Sequence, residues 1–545
     1  MLNSSSRRDL PRLSRLACVS LLVLAGCGGE DLHDTPLPSA ISSVMAKPIY
    51  RNAVWGLRVV DRDSGAVLYD VNPNRNLLIG SVRKAFSVGV TLDALGASHR
   101  FRTPVYRTGT VDPAGALYGD LILVASGDMS MGGRVNADGS YAITDLDHNE
   151  ANELGDAQLT APDPLAGYRS LATQIAAAGI THVRGDVIID ERLWEAFDFR
   201  KQFLVSPIFV NDDVVDVEIT PGSIGASANV TSRPMSSAFQ VQSTLATDAP
   251  GAAIDVTLTS VLPTCIGTLP CSGVVSGSVP FDLVGPLTGR LPLVRTFRIT
   301  QTAAYARTVL IEALAAAGVA VDAPAVAPNA GSRLPTSGSY GADTQVAELV
   351  SATYAEQARH IMKVSYNIGA DTSLMHYGLT RGVRTLADSL VVERHALTTE
   401  FGLAAADMNF VDGSGDGETR ARNVAVTGLL TAMTKRAAFA DYLDTFPLLG
   451  VDGSMATITG FEADATLAGA RGQVQAKTGT FVEGTPTNQL SIRAEAFAGY
   501  IHSRSGRNLV YHLVVNDLEP VAGFAELLTV IQDLGVLSAV IWRDN

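Results

Sequence analysis

The sequence predicts a mixed fold of the α/β (α+β) class, in which an antiparallel sheet is flanked by helices and a β-rich insertion interrupts the chain. Three observations predict it: hairpin patterns near both ends, an amphipathic segment at the C-terminus, and a central stretch rich in Val, Ser, Thr, Gly and Pro. Strands from both ends can then join one sheet with helices against it. The 545 residues are enough for about three or four domains.

The predicted elements fall into three groups along the chain. The N-terminal group is a hairpin over 55–60 and 66–69, closed by the turn Asp63-Ser64-Gly65, and then a helix over 81–96. The C-terminal group is a second hairpin over 494–501 and 509–515, followed by a helix over 523–537. The middle group is a strand over 117–125, a polar loop insertion over 130–162, a helix over 164–178, a strand over 183–189, an all-β module over 201–292 and a helix over 303–318.

Composition excludes several classes of protein. The formal net charge is −14, and 46 % of the residues are hydrophobic. A chain this apolar is not globally disordered, and one this acidic, without a Lys/Arg run in its body, does not suit nucleic acid. Only six residues are lysine, at positions 47, 84, 201, 363, 435 and 477. Because lysine is not used here for general solubility, each one is a candidate for a specific role.

The N-terminus has the pattern of an export signal. Four arginines within residues 1–15 precede the short apolar run 16–24, which is too short to span a bilayer. The ending Leu24-Ala25-Gly26-Cys27 resembles the lipobox of bacterial lipoproteins. That resemblance implies a signal peptide over 1–26, lipidation of Cys27 and, with Gly28 next, a periplasmic protein anchored to the outer membrane. Residues 27–48 are then a tether. The Ser6-Arg7-Arg8 segment leaves the export route open.

The cysteines favour an oxidising compartment. Cys265 and Cys271 are separated by six residues around a Gly and a Pro, which suits a disulfide at a hairpin tip. The nine His are scattered without zinc-site spacing, so no metal site is predicted. Two segments, 145–156 and 412–423, begin like calcium loops but lack the closing Glu, and solvated loops are the preferred interpretation.

Three short motifs occur in one order: Ser81-Val82-Arg83-Lys84, Ser365-Tyr366-Asn367 and Lys477-Thr478-Gly479. Ser81 and Ser365 are 284 residues apart, and Ser365 and Lys477 are 112 residues apart. The first motif is predicted at a helix start, the second between two helices and the third on a strand. Only one of the six lysines has a serine three residues before it, so a chance occurrence of all three motifs is improbable.

Each motif has a chemical rationale. A serine hydroxyl needs a base, and Lys84, on the same helix face as Ser81, can be that base if its amine is neutral. Burial, the second cation Lys477 and the helix N-terminus all favour a neutral amine. Ser365 can relay a proton to a leaving nitrogen, and Asn367 can orient a substrate or Lys84.

The third motif suits substrate binding. Lys477 and Thr478 suit a terminal carboxylate, and Gly479 lets a ligand backbone lie close to the strand. The backbone N–H groups of Ser81 and Thr480 can form an oxyanion hole.

With these motifs the chain resembles the class C low-molecular-mass penicillin-binding proteins, the D-alanyl-D-alanine carboxypeptidase/endopeptidases of the penicillin-binding protein 4 type. The resemblance runs from about Trp55 to Glu526 and rests on further stretches, namely 119–124, 185–190, 210–216, 411–415 and 450–453. It implies a β-lactamase-like catalytic domain with two inserted β-rich domains. The implied division is 49–101 with 340–545 for the catalytic domain, 102–200 with 293–339 for the first insertion, and 201–292 for the second.

The resemblance also implies roles and partners. Ser81 would be acylated, with Lys84 as its base, Ser365 and Asn367 as the second element, and Lys477, Thr478 and Thr480 as the substrate-binding strand. The substrates would be stem peptides and cross-links of peptidoglycan, β-lactams would bind, and no cofactor would be needed. The middle motif departs from the family, since Tyr366 stands where Asp is usual. The stretch 481–492 after the third motif is also longer than usual.

Two alternatives remain at this point. The chain could be a β-lactamase or esterase on the same fold, or a non-catalytic cell-wall-binding lipoprotein that kept the fold. The ratio of carboxypeptidase to endopeptidase activity, the preferred stem peptide and the oligomeric state do not follow from the sequence.

Overall fold

A computed structural model describes residues 37–199, 201–485, 489–521 and 523–545. The predicted signal peptide, Cys27 and the first part of the predicted tether lie outside these residues. The α-helices in the described chain are α1 Ser39–Met45, α2 Lys84–Leu95, α3 Ala151–Leu154, α4 Ala166–Ala177, α5 Thr302–Ala316, α6 Tyr354–Val364, α7 Asn367–Thr380, α8 Leu386–Thr399, α9 Asn423–Met433, α10 Phe439–Asp444 and α11 Phe524–Asp544.

The strands of the described chain are mostly short. They are β1 Val54–Asp61, β2 Val67–Val71, β3 Leu77–Leu78, β4 Arg100–Arg107, β5 Thr110–Val111, β6 Ala116–Tyr118, β7 Leu121–Val124, β8 His182–Val183, β9 Val187–Asp190, β10 Phe197–Phe199, β11 Phe203–Val205, β12 Val214–Thr220, β13 Asn229–Arg233, β14 Gln240–Ser243, β15 Ala246–Asp248, β16 Asp255–Thr259, β17 Ser272–Pro280, β18 Leu293–Arg298, β19 Ala320–Val321, β20 Gln345–Thr353, β21 Met408–Asn409, β22 Arg420–Ala421, β23 Val474–Gly484, β24 Leu490–His502 and β25 Asn508–Asn516.

Strands from both ends of the chain pair in one antiparallel sheet, so this prediction is confirmed. The sheet has five strands in the order β2-β1-β25-β24-β23. Strand β1 runs antiparallel to β25 from the Val54–Asn516 pair to the Asp61–Leu509 pair. This pairing brings residues more than 400 positions apart onto neighbouring strands, and it leaves β23 at one edge of the sheet.

The two faces of this sheet are both covered, because side chains on a strand alternate between faces. Along β24, Ala496, Ala498 and Tyr500 contribute to the apolar cluster that contains α2 and α9. Phe497 and Ile501 contribute to a second cluster that contains α11. Among the described helices, α11 is long and apolar enough to cross a membrane, but 61 % of its apolar window is buried in the protein. Its apolarity is therefore that of a core helix.

The middle of the chain differs from the sequence prediction at two strands. The single strands predicted over 117–125 and 183–189 are each divided in two, giving β6 with β7 and β8 with β9. The division falls at Gly119-Asp120 and Gly185-Asp186, where the chain passes from the sheet β19-β8-β6-β5 to the sheet β20-β4-β7-β9. A Cβ on Gly185 would lie 2.3 Å from Gly119 O. The two glycines therefore allow the segments 116–124 and 182–190 to turn at the same point.

Two predicted loops are ordered. The prediction of a tether is wrong for its second half, because α1 places Ile41 in the cluster around α11. The segment 130–162 was predicted to be a polar loop, yet it contains α3 and a 3-10 turn over His148–Glu150. Several of its polar side chains are buried, so the segment is held in place by partners on other elements; these side chains belong to Ser130, Arg134, Asp147, His148, Asn149 and Asp156.

The described stretch 201–292 contains strands β11 to β17 and no α-helix, as its composition predicts, while the domains and their boundaries stay a prediction. Strand β20, placed in the catalytic part by the boundary at 340, pairs with β4. Strand β18, placed in the first insertion, pairs with β12 of the second. The structure joins Cys265 to Cys271 by a disulfide, with the two Cα atoms 5.3 Å apart.

A buried ion pair fixes the start of α2 against α8. The guanidinium of Arg83 donates to both carboxylate oxygens of Glu393, at 2.8 and 2.5 Å, and its Nε donates to Asp412 O at 2.8 Å. Both side chains are buried, and the Arg83 guanidinium also lies 4.2 Å from the centre of the Phe410 ring. Burial raises the pKa of Glu393, whereas Arg83 lowers it.

We expect Glu393→Ala to lower the free energy of unfolding by about 3–5 kcal/mol, because it leaves a buried guanidinium without its counter-charge. Glu462→Ala removes one partner of the exposed pair Arg471–Glu462 and should cost less than about 1 kcal/mol. Urea denaturation followed by circular dichroism measures both. Equal losses in the two variants would contradict the importance given to the buried pair.

Candidate active site

The first motif forms a tight turn at the start of α2. Residues Gly80–Arg83 are a 3-10 turn, and α2 begins at Lys84. Because a 3-10 helix has three residues per turn, side chains at i and i+3 lie directly above one another. The amine nitrogen Nζ of Lys84 accordingly lies 2.6 Å from Oγ of Ser81. Lys84 is fully buried, whereas Ser81 is half-buried.

The second motif occupies the corner between α6 and α7. Ser365 ends α6 in the left-handed conformation, with φ of 62°, and Asn367 is the first residue of α7. The corner turns both polar side chains toward the other two motifs. Lys84 Nζ donates to Asn367 Oδ1 at 2.7 Å, and it also donates to Ser414 O at 3.0 Å.

The third motif lies on the edge strand β23. Lys477 Nζ donates to Ser365 Oγ at 2.9 Å and to Thr478 O at 2.7 Å. The hydroxyl of Thr478 lies 2.8 Å from the Ser454 hydroxyl. Lys477 is fully buried, while Thr480 is exposed at the far end of the motif. The structure thus brings the three motifs together in one cleft.

Gly479 has a structural role in addition to the one predicted. It was expected to let a ligand lie close to the strand. In the structure, a Cβ at this position would lie 2.3 Å from Ile79 O, 2.8 Å from Val82 N and 3.1 Å from Ser81 N. The absent side chain therefore lets β23 pack directly on the 3-10 turn that carries Ser81.

Charge in the cleft favours a neutral amine at Lys477. Burial, and next the positive charge of Lys84, lower the pKa of Lys477 well below its ordinary value. The carboxylates Glu495 and Glu150 act in the opposite direction. Glu495 lies on β24, opposite Thr480, and burial raises its pKa to about 8, against the effects of Thr480 and Lys477. Because Glu495 is itself largely neutral at pH 7, its carboxyl group does little to stabilise an ammonium group on Lys477.

Comparison with known proteins assigns this arrangement to a family. The D-Ala-D-Ala carboxypeptidase 3 (S13) family matches residues 37–526. The chain belongs to this family.

Two relatives illustrate the extent of the match. The D-alanyl-D-alanine carboxypeptidase of Actinomadura sp. (strain R39) is 27 % identical over 518 residues, which is 90 % of this chain and 83 % of that protein. The crystal structure of penicillin-binding protein 4 from Haemophilus influenzae superposes with a TM-score of 0.65 at 17 % identity, over 92 % of this chain and 99 % of that one. A second structure of that protein, in complex with a β-lactam, gives 0.64 over the same shares of the two chains, also at 17 % identity.

The protein is therefore a serine-type D-Ala-D-Ala carboxypeptidase with a penicillin-binding-protein fold. This S13 member has a tyrosine in its middle motif, and the side chain is buried. Tyr366 points away from the cleft, and its hydroxyl donates to Asp212 O at 3.4 Å in the inserted part of the chain. The ring lies 5.3 Å from that of His360 on α6. Tyr366 thus anchors the corner of the motif without displacing Ser365 or Asn367.

Two histidines flank the middle motif, and both lie inside the protein. His360 is fully buried and His376 almost so. His376 stacks on Phe101, with ring centres 4.1 Å apart, and burial lowers its pKa to about 4. Both rings pack against residues from distant parts of the chain, His360 against Tyr141 and His376 against Trp194.

One group of side chains in the described chain has the geometry of a metal site. Ligand atoms of Asp147, Asp212 and His360 lie within 4.8 Å of one another. The guanidinium of Arg134 pairs with Asp147 Oδ2 at 2.9 Å and also with Asp212. This guanidinium lies between the two carboxylates and supplies the positive charge that a metal ion would bring.

The two segments interpreted as solvated loops are packed. Asp412 is buried, and its carboxylate accepts from the backbone N–H of Ser414, Gly415 and Asp416. A Cβ on Gly415 would lie 3.0 Å from Ser81 N. The loop after Asp412 therefore packs behind the turn that carries Ser81. The Asp412 carboxylate holds this loop in shape.

Sequence reasoning missed three side chains of this S13 cleft. Ser454 follows the stretch 450–453, and Glu495 is a single acid in an apolar strand, which is itself a signal of a special role. Glu150 lies in the segment 130–162. Its Oε1 accepts a hydrogen bond from Asn367 Nδ2 at 3.2 Å. No spacing pattern links that segment to the motifs.

The packing of Gly479 gives a sharp test. We expect Gly479→Ala to reduce D-alanine release from a D-Ala-D-Ala peptide by about 100-fold or more, because the new methyl group separates β23 from Ser81. Gly484→Ala is the matched control on the same strand, since a Cβ there meets nothing within 4 Å. Equal activity of the two variants in the release assay would be incompatible with the packing described.

Proposed function

We propose that this carboxypeptidase hydrolyses the terminal D-alanyl-D-alanine bond of peptidoglycan peptides through an acyl-enzyme on Ser81. The observation that carries the proposal is the contact between Ser81 Oγ and Lys84 Nζ at 2.6 Å, in a cleft that also holds Lys477. An amine can activate a serine only in its neutral form. Burial disfavours the charged form of an amine, and so does a second positive charge nearby. Two buried lysines side by side therefore favour a neutral amine.

Acylation begins with the neutral amine of Lys84, which accepts the proton of Ser81 Oγ. The oxygen attacks the carbonyl carbon between the two D-alanines, and the N–H groups of Ser81 and Thr480 stabilise the oxyanion that forms. The proton passes through the hydroxyl of Ser365 to the leaving nitrogen, the carbon–nitrogen bond breaks, and D-alanine leaves. Water then attacks the ester, and Ser81 recovers its proton.

The third motif recognises the terminal carboxylate of the substrate. Thr478 offers a hydroxyl, already 2.8 Å from that of Ser454. An arriving carboxylate also favours the ammonium form of Lys477, because an opposite charge stabilises the charged state. Substrate binding and protonation of Lys477 therefore support each other, and Lys84 can stay neutral for its role as base.

The same carbonyl chemistry extends to two further classes of substrate. A β-lactam amide is strained and resembles the D-alanyl-D-alanine bond, so it should acylate Ser81. Its leaving group then stays attached to the adduct and does not diffuse away. The bond from D-alanine to the diaminopimelate side chain of a cross-link presents an equivalent carbonyl, and its cleavage is endopeptidase activity. The complex of the Haemophilus influenzae protein with a β-lactam supports the first expectation.

Exposure to benzylpenicillin tests the acyl-enzyme directly. We expect the intact mass of the protein to rise by one penicillin and to remain raised, because the retained leaving group hinders deacylation. Ser81→Ala should show no adduct and no D-alanine release, and Ser170→Ala, on the exposed face of α4, should behave like the native protein.

The alternatives give different outcomes in this experiment. Rapid loss of the adduct with turnover of penicillin indicates a β-lactamase. The absence of both a penicillin adduct and D-alanine release indicates a non-catalytic wall-binding protein. Release of D-alanine by Ser81→Ala would exclude Ser81 as the nucleophile. Cross-linked muropeptide dimers in the same assay measure the endopeptidase activity.

The N-terminal pattern supports export and lipid anchoring at Cys27, in the periplasm of a Gram-negative cell. We expect the native protein to be recovered with the outer-membrane fraction and to incorporate labelled palmitate. Because the acyl chains on Cys27 would hold the protein at the membrane, Cys27→Ser should move it to the soluble periplasmic fraction. Soluble native protein without label would contradict the anchor while leaving the catalytic proposal intact.

A further inference from the structure

Glu150 connects the segment 130–162 to the catalytic groups. Asn367 Nδ2 donates to Glu150 Oε1 at 3.2 Å, and Asn367 Oδ1 accepts from Lys84 Nζ at 2.7 Å. Lys84 in turn contacts Ser81. A continuous chain of hydrogen bonds therefore runs from a carboxylate on the insertion to the nucleophile.

The two ends of the Asn367 amide are chemically different, and this gives the chain a direction. A carboxylate only accepts hydrogen bonds, whereas an amide has a donor end and an acceptor end. Glu150 must therefore face the NH₂ end, which directs the oxygen of Asn367 toward Lys84. In the opposite orientation the NH₂ group would face the lysine amine and the oxygen would face the carboxylate.

The backbone that carries Glu150 is firmly held. His148 lies between Asp216, at 2.7 Å, and Asp212, at 3.0 Å. Burial opposes its charge, but Asp216 and Asp147 raise the pKa of His148 to about 10. Since the two neighbours of Glu150 in the 3-10 turn, His148 and Asn149, are buried, the carboxylate is directed at Asn367 by a rigid support.

Charged groups from several elements face Glu150. Asp147 and Glu153 lie on its own segment, Arg298 on β18, Lys84 on α2 and Lys477 on β23. Burial, and next the charge of Glu153, raise the pKa of Glu150 to about 7, although Arg298 and Lys84 act against this. The carboxylate therefore gains its charge near neutral pH, and that charge favours the ammonium forms of Lys84 and Lys477.

We infer that Glu150 is a positioning residue of the carboxypeptidase reaction, which orients Asn367 toward Lys84 and places a carboxylate beside the active-site amines. This inference rests on the proposed role of Ser81 and Lys84. It assigns to the segment 130–162 a part in the chemistry, in addition to its part in the fold.

Two substitutions separate orientation from charge. Glu150→Gln keeps an acceptor oxygen for Asn367 Nδ2 but removes the charge, whereas Glu150→Ala removes both. The probe is the rate of acylation by benzylpenicillin from pH 5 to 10, measured by intact mass. Asp138→Asn removes one charge from an exposed turn of the same segment and serves as the matched control.

We expect Glu150→Gln to keep the maximal rate within about threefold and to move the acidic limb of the profile to lower pH by at least about half a unit, because a negative charge near the amines is lost. Glu150→Ala should lower the maximal rate by about tenfold, because Asn367 loses its anchor. Asp138→Asn should follow the native profile.

A native pH profile for Glu150→Gln overturns the inference. Equal losses of maximal rate in Glu150→Gln and Glu150→Ala without any shift of the limb also overturn it, since that result describes a merely structural residue. If Glu150→Ala does not fold, the limb of the Glu150→Gln profile alone decides. Failure of the proposed function is distinct, because the native protein would then form no adduct at Ser81.

Discussion

The site depends on the burial of two lysine side chains in one cleft. Lys84 and Lys477 are both fully buried, and each contacts a motif serine. Their charges oppose one another, as the lowered pKa of Lys477 indicates. The other lysines of the described chain are treated differently: Lys47 and Lys363 pair with carboxylates, and Lys201 and Lys435 are exposed. Lys477 therefore lies where burial and a second cation both act against its positive charge.

Keeping such a pair buried requires support from distant parts of the chain. The five-stranded sheet joins the two ends, so that β23 can lie against the turn carrying Ser81. The Arg83–Glu393 pair and the loop after Asp412 hold that turn from behind. The insertion contributes Glu150, whose carboxylate meets Asn367. The cleft is therefore built at the meeting of segments that are far apart in sequence, and each is fixed by its own buried polar contacts.

The sequence could predict what depends on local pattern and on rare residues. Hairpins at both ends, the helix that starts near Ser81 and the strand carrying Lys477 follow from periodicity and turn chemistry, and a scarcity of lysine made two of them conspicuous. The roles of Glu150, Glu495 and Ser454 could not be predicted, because they depend on packing between distant segments. The interpretation of 130–162 as a polar loop failed for the same reason: its Arg134 and His148 pair with Asp212 and Asp216, which are distant in sequence. Strands 117–125 and 183–189 were extended too far because Gly119 and Gly185 allow a close approach that has no local signature.

The most direct test of the central claim is the titration of the lysine amines themselves. With six lysines, a protein labelled with ¹³C at lysine Cε gives a spectrum simple enough to follow each signal with pH, and Lys477→Arg identifies its signal. The account predicts that Lys477 titrates well below the ordinary lysine range near ~10.4, and that a bound penicillin, which brings its own carboxylate, moves its pKa upward. A Lys477 signal that titrates in the ordinary lysine range near ~10.4 would contradict the account.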